Sequence, residues 1–319
     1  MPKHLLGIQQ LSKDELYMFV NNAQSFVEVS ERDIKKVPAL RGKTIINMFL
    51  EPSTRTRTSF ELAGKRLSAD VVNISASGSS LVKGESLLDM GRTIQAMAPD
   101  ILVVRNKATG TPHFFAEHLK NVSVVNAGDG MNEHPTQALL DLLSLQQRFA
   151  NRKHGIEHLR IAIVGDIRHS RVARSNIWAH KLLGNEIILV GPPTLVPREM
   201  AEPSCFGEGT VKLVSNLAEG VEGADVVMCL RMQMERMQDH FVPSLEEYSN
   251  EFFVSEELLA KYAPTAVVMH PGPVNRGVEV ESSLIDGERS LVEQQVTNGV
   301  AVRMAVLFAL ATGITLKAE

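Results

Sequence analysis

The sequence predicts an α/β protein made of two doubly wound parallel-sheet domains joined by interdomain helices. Three observations predict it. Short apolar, β-prone runs alternate with helix-like stretches long enough to be crossovers, which is the pattern of parallel strands. The chain has 319 residues, too many for one typical core. A polar stretch, Arg148-Phe149-Ala150-Asn151-Arg152-Lys153-His154-Gly155, falls near the midpoint, and a second strand series opens after it. The expected domains are residues 1–148, completed by a C-terminal helix over 292–319, and residues 151–291.

Strands are expected at Thr44–Leu50, Val71–Ile74, Ile101–Arg105 and Val122–Asn126 in the first half. In the second half they are expected at Arg160–Gly165, Glu186–Val190, Val211–Val214, Val226–Leu230 and Ala266–Met269. Glu51-Pro52 breaks the first run, and Phe60, Leu62, Ala63 and Leu67 then fit a helical stripe. Pro135 suits a first helical turn, which Ala138, Leu139, Leu142 and Leu143 continue. A final helix over roughly Val292 to Ala311 is strongly apolar and expected to be buried, and Trp178 and the methionines read as packing residues.

Composition narrows the function. The hydrophobic fraction of 44% and charged fraction of 22% fit a globular protein. A net charge of -4 offers no basic surface for nucleic acid. Cys205 and Cys229 form neither a metal-spaced cluster nor a disulfide framework, which fits a reducing compartment. No leader-like apolar region follows Met1-Pro2-Lys3-His4. The longest apolar candidate for a bilayer span, Val300 to Leu310, is short and contains Arg303. The expectation is a cytoplasmic enzyme without a membrane or nucleic-acid partner.

The chemistry is concentrated where strands end. Ser53-Thr54-Arg55-Thr56-Arg57 sets hydroxyls and guanidiniums at a helix N-terminus, whose open N–H groups and partial positive charge suit a phosphate. A Ser/Thr cap followed by solvated arginines fits a lone S-T-R equally well, but the five-residue run is more specific. Ser79-Ser80-Leu81-Val82-Lys83-Gly84-Glu85-Ser86 is a small-residue loop with one lysine and, taken alone, a surface loop. Arg105 ends an apolar strand and, taken alone, reads rather as a structural salt bridge. His134 and Gln137 fall on one helical turn and can face one ligand. Gly165-Asp166-Ile167-Arg168-His169-Ser170-Arg171 stands where a dinucleotide fingerprint would, but lacks G-x-G-x-x-G; no P-loop occurs either. Arg231, with Gln233, repeats the logic of Arg105, and His270-Pro271-Gly272-Pro273 forms a rigid turn that presents backbone groups. No H-E-x-x-H, paired cysteine ligands or G-x-S-x-G elbow accompanies them, so neither a metal nor a cofactor is expected. Cations and hydroxyls without a nucleophile suit a reaction whose leaving group is an anion such as phosphate.

Together these segments resemble the carbamoyltransferases over nearly the whole chain, on the aspartate branch of that family. The ornithine branch shares Ser-Thr-Arg-Thr-Arg but carries a cysteine-bearing loop where this chain has His270-Pro271-Gly272-Pro273. The resemblance implies transfer of the carbamoyl group of carbamoyl phosphate to L-aspartate, giving N-carbamoyl-L-aspartate and phosphate. It implies that Ser53, Thr54, Arg55, Thr56 and Arg105 hold the phosphate, with Ser79 or Ser80 and Lys83 reaching in from a neighbouring subunit. Thr56, Arg105 and His134 would polarise the carbonyl, and Gln137 would hold the carbamoyl NH₂. Arg171, Arg231 and Gln233 would bind aspartate, with Gly272 and Pro273 in the loop that joins the two ligands. The implied assembly is a homotrimer with shared active sites, open to larger assemblies with regulatory or dihydroorotase-like chains. A carbamoyltransferase for ornithine or another amine, and a silent partner chain of the family, are the other readings; the intact cation set weighs against the silent chain.

Overall fold

The computed structural model describes residues 2–75, 84–233 and 244–314. Tertiary contacts divide the chain into a first unit, residues 1–143 with 297–319, and a second, residues 144–296. Both divisions fall inside helices, five residues before the polar stretch in one case and five residues into the final helix in the other.

The first unit carries a four-stranded sheet in the order β2 (Asp70–Ser75), β1 (Thr44–Phe49), β3 (Ile101–Asn106), β4 (Ser123–Asp129), with every pairing parallel. Helices α2 (Thr54–Arg66), α3 (Leu87–Ala96) and α4 (Thr111–His118) are the crossovers, and α1 (Lys13–Glu31) precedes the sheet. Helix α1 starts on a capping box between Ser12 and Glu15. The inner strands have near-continuous apolar runs because their neighbours cover both faces: β3 and β4 are buried along almost all their length, whereas the edge strand β2 is half-buried or exposed throughout. Phe60 of α2 and Phe115 of α4 are wholly buried, and truncating such a ring costs about 3–5 kcal/mol. Strand β4 runs three residues past its expected end, because pairing resumes at Asn106↔Asp129 after a register shift.

The second unit carries a five-stranded parallel sheet in the order β7 (Val211–Val214), β6 (Glu186–Val190), β5 (Arg160–Val164), β8 (Val226–Cys229), β9 (Val267–Met269). Helix α5 (Pro135–Arg148) leads into it. Helices α6 (Arg171–Leu182), α7 (Pro203–Phe206), α8 (Leu217–Val221), α9 (Leu245–Phe252), α10 (Glu256–Tyr262) and α11 (Ser282–Asp286) follow. One apolar cluster, including Val164, Val190, Val227, Cys229, Val254 and Val268, fills one side of this sheet.

Helix α12 (Val292–Thr312) returns the chain to the first unit, and residues 301–307 are buried throughout. It exceeds the expected apolar stretch: at 21 residues with a mean hydropathy of 1.3 over its most apolar window, it is long and apolar enough to cross a membrane. Two-thirds of that window is buried within the protein, and Arg303 lies in the middle of the helix.

Candidate active site

Each sheet has one place where successive crossovers leave in opposite directions. In the first unit it lies between β1 and β3, and in the second between β5 and β8. Open α/β sheets bind ligands beyond the carboxyl ends of the strands at such switch points. The expected residues gather at both.

In the first unit, register places Phe49 of β1 opposite Arg105 of β3, and the Leu50 N–H donates to the Arg105 carbonyl at 2.8 Å. Arg105 thus stands beside the start of the Glu51-to-Arg57 run. Its Nε lies 2.7 Å from Glu51 Oε1, both side chains being 13% exposed, and one terminal nitrogen donates to the Ala127 carbonyl at 3.1 Å. Ser53 is the extended cap of α2, but its hydroxyl makes no capping bond. Ser86, Ser170, Ser244 and Ser255 each accept the third helical N–H of their helices. Among the described serine-capped helices, the one that carries the cationic motif is thus the one whose serine hydroxyl makes no cap bond. Thr54, Arg55 and Arg57 are exposed there, and Thr56 is buried.

His134 immediately precedes α5, is buried, and its carbonyl accepts the Gln137 N–H at 2.9 Å. The Gln137 amide donates to Asp141 at 3.0 Å. Two buried carboxylates set this loop: Asp129 accepts the N–H groups of Gly110 and Glu133, and Glu133 accepts those of Ile8 and Gln9. Behind α2, Arg303 of α12 donates to Ser59 Oγ at 2.9 Å and lies over the Phe60 ring. Burial lowers this guanidinium to about 10 while Asp141 holds it up.

In the second unit, Gly165 follows β5 at φ +121°, and a side chain there would meet the Leu230 carbonyl at 2.9 Å. The two switch-point loops approach each other on that account. Ser170 caps α6 and puts buried Arg171 in its first turn. Asp166, wholly buried, takes the His169 ring at 2.9 Å and also accepts the backbone N–H groups of His169 and Gln233. Burial pushes its carboxyl up, and those partners pull it back. Arg231 follows β8, and Gln233 Nε2 donates to the His169 carbonyl at 3.3 Å. Beyond β9, the buried His270 holds the Gly272 N–H on its Nδ1 at 2.8 Å.

Ser79, Ser80 and Lys83 lie outside the described residues. Sequence reasoning passed over Glu51, Asp141, Asp166, Glu279 and Arg303. Glu51 read only as a strand breaker. Asp141 and Arg303 carry the visible signal, a charge inside an apolar run, in Leu139-Leu140-Asp141-Leu142-Leu143 and in Ala301-Val302-Arg303-Met304-Ala305.

The profile described as aspartate/ornithine carbamoyltransferase, carbamoyl-P binding domain, matches residues 3–147, and that of the Asp/Orn binding domain matches 157–310. The chain is 52% identical over 308 residues to the aspartate carbamoyltransferase catalytic subunit of Syntrophus aciditrophicus, covering 97% of each. To that of Magnetococcus marinus it is 52% identical, covering 98% of this chain and 93% of the relative. Among solved structures, ornithine carbamoyltransferase from Thermus thermophilus has a TM-score of 0.83 at 26% identity, covering 98% of this chain and all of that one. Aspartate transcarbamoylase from Trypanosoma cruzi, with carbamoyl aspartate and phosphate, has the same TM-score at 27% identity, covering 96% and 95%.

Proposed function

The chain belongs to the aspartate/ornithine carbamoyltransferase family, and on that footing we propose that it is the catalytic chain of an aspartate carbamoyltransferase, serving pyrimidine biosynthesis in the cytoplasm. The fold itself does not select the amine, since both branches superpose equally well. The observation that carries the choice is the pair Arg171 and Arg231 at the second unit's switch point, beside Gln233. Two guanidiniums suit the two carboxylates of aspartate, and the relatives at 52% identity carry that name.

Residues 1–148, with the C-terminal helix, are the proposed carbamoyl phosphate domain, and residues 151–291 the aspartate domain. The N-terminal N–H groups of α2, with Ser53, Thr54, Arg55, Thr56 and Arg105, hold the phosphate of carbamoyl phosphate. Arg105 exchanges Glu51 for that anion. Thr56, Arg105 and His134 donate to the carbonyl oxygen, where charge develops as the carbon becomes tetrahedral. Gln137, oriented by Asp141, holds the carbamoyl NH₂ through its amide oxygen. The uncharged α-amine of aspartate attacks the carbonyl carbon, a C–N bond forms, and the C–O bond to phosphate breaks. The amine proton leaves with the phosphate, so no protein base is needed. Catalysis is positioning with electrostatic stabilisation.

Lys83, with Ser79 or Ser80, completes the phosphate site from a neighbouring chain of a homotrimer. Regulatory or dihydroorotase-like chains are further partners the reading admits. Colorimetric assay of carbamoyl-aspartate formation, with ornithine in a parallel reaction, tests the function. Product with aspartate alone is expected; product with ornithine alone, or none with either, would refute it.

A further inference from the structure

His270 and Glu279 form a buried pair that no step of this reaction uses. The His270 ring is wholly enclosed at the end of β9, and its backbone N–H donates to Gln295 at 3.1 Å. Its Nδ1 accepts the Gly272 N–H at 2.8 Å, so that nitrogen carries no proton. The proton must therefore sit on Nε2, which faces Glu279 Oε1 at 3.3 Å. The same Oε1 accepts the Asn275 N–H at 3.0 Å. One carboxylate thus holds both ends of the 270–275 segment, once through the imidazole and once directly. Gly272 makes its contact at φ +63°, in the left-handed region that favours glycine.

This arrangement is expensive for mere packing. Glu279 is 1% exposed, next to Val280 of the apolar cluster, and its Oε2 has no hydrogen-bond partner among the described residues. A buried carboxylate with an unmet oxygen destabilises a fold relative to an apolar residue of similar volume. Its presence is explained if it sets a shape that packing alone would not.

We propose that Glu279 is a positioning residue: by accepting the Nε2 proton it fixes the His270 tautomer whose Nδ1 holds the Gly272 N–H, and so shapes the 270–273 loop for substrate. The consequence for turnover rests on the reading that this loop meets the two ligands; the tautomer does not. Glu279→Gln keeps an acceptor oxygen toward Nε2, whereas Glu279→Leu removes it and Glu279→Asp withdraws it by one methylene.

The test is carried out on the full-length oligomer. Selective ¹⁵N-histidine NMR reports the His270 ring, assigned by its loss in His270→Gln, alongside kcat and KM for both substrates. The wild-type ring is expected as the pure Nε2–H tautomer. In Glu279→Leu, or in Glu279→Asp if the first does not fold, the tautomer signal should shift and kcat should fall roughly 10²-fold, the scale of a displaced positioning group, while the KM for carbamoyl phosphate stays within about twofold. Glu279→Gln should restore both. An unchanged ring signal in the Leu and Asp variants overturns the proposal, as does a changed signal with wild-type kcat. A wild-type enzyme inactive on aspartate would refute the functional reading instead, and the ring signal would still decide the role of Glu279.

Discussion

A guanidinium at the end of a buried strand is held ready by whatever carboxylate or carbonyl surrounds it, and here such partners separate the roles of the arginines. Arg105 is engaged by Glu51 and the Ala127 carbonyl, so its planar donors are oriented before any anion arrives. Arg231 is half-buried after β8 and sits beside a loop pinned by the Gln233–His169 bond. Replacing Arg231 by Ala should raise the KM for aspartate by about 10²-fold or more with little change in that for carbamoyl phosphate, and Arg231→Lys should be nearly as damaging because a point charge cannot replace a two-pronged donor. Steady-state kinetics with each substrate varied in turn checks this; an unchanged aspartate KM places the carboxylate clamp elsewhere. Thr56→Ala and His134→Ala should instead lower kcat by about 10² to 10³ with smaller effects on KM, as expected for donors to a developing oxyanion. Near-wild-type kcat in both variants would remove them from that role.

The elements were more legible than the contacts between them. All nine expected strands form, most with ends displaced by a residue or less, because parallel strands buried on both faces leave long apolar runs that turn residues punctuate. The positions of Ser53-to-Arg57, Arg105, His134, Arg171 and Arg231 were legible for a related reason: they lie at the strand ends or in the loops and first helical turns that follow such runs. Arg303 was not, since its partner Ser59 lies 244 residues away; Asp141, Asp166 and Glu279 have partners only three to nine residues away, but nothing in the spacing shows that these acids are buried. His180 belongs with them. It lies near the C-terminal end of α6, wholly buried, with Asn185 Nδ2 donating to its Nδ1 at 2.8 Å. Burial lowers its pKa from 6.5 to about 4, so the unfolded chain takes up a proton that the folded helix refuses. Its contribution to stability is full above about pH 6.5 and declines as pH falls towards 4, by roughly 3 kcal/mol in all. Urea-unfolding midpoints should fall across that window, and His180→Gln should flatten the decline. An equal slope in the variant would assign the acid sensitivity to other groups.

At the scale of the whole molecule, the Ser and Lys of the 79–83 segment are proposed to serve a neighbouring chain, so each site needs two polypeptides. Lys83→Ala and Arg55→Ala should each be inactive alone. Mixed and reassembled, they should regain partial activity, because some sites then receive both intact residues. Mixed trimers confirmed by native mass spectrometry but devoid of activity would confine Lys83 to its own chain. The division of the polypeptide has a separate consequence for its synthesis. The first unit is discontinuous, and Arg303 reaches Ser59 across 244 residues of sequence. While the ribosome is still translating, residues 144–296 emerge as one uninterrupted stretch and can consolidate. The earlier residues 1–143 must wait, with the surface that α12 will cover still open to chaperones and proteases. Nascent chains arrested before residue 297 has left the exit tunnel should therefore give a protease-resistant second unit and a first unit that is still cut, the later-made half maturing before the earlier one.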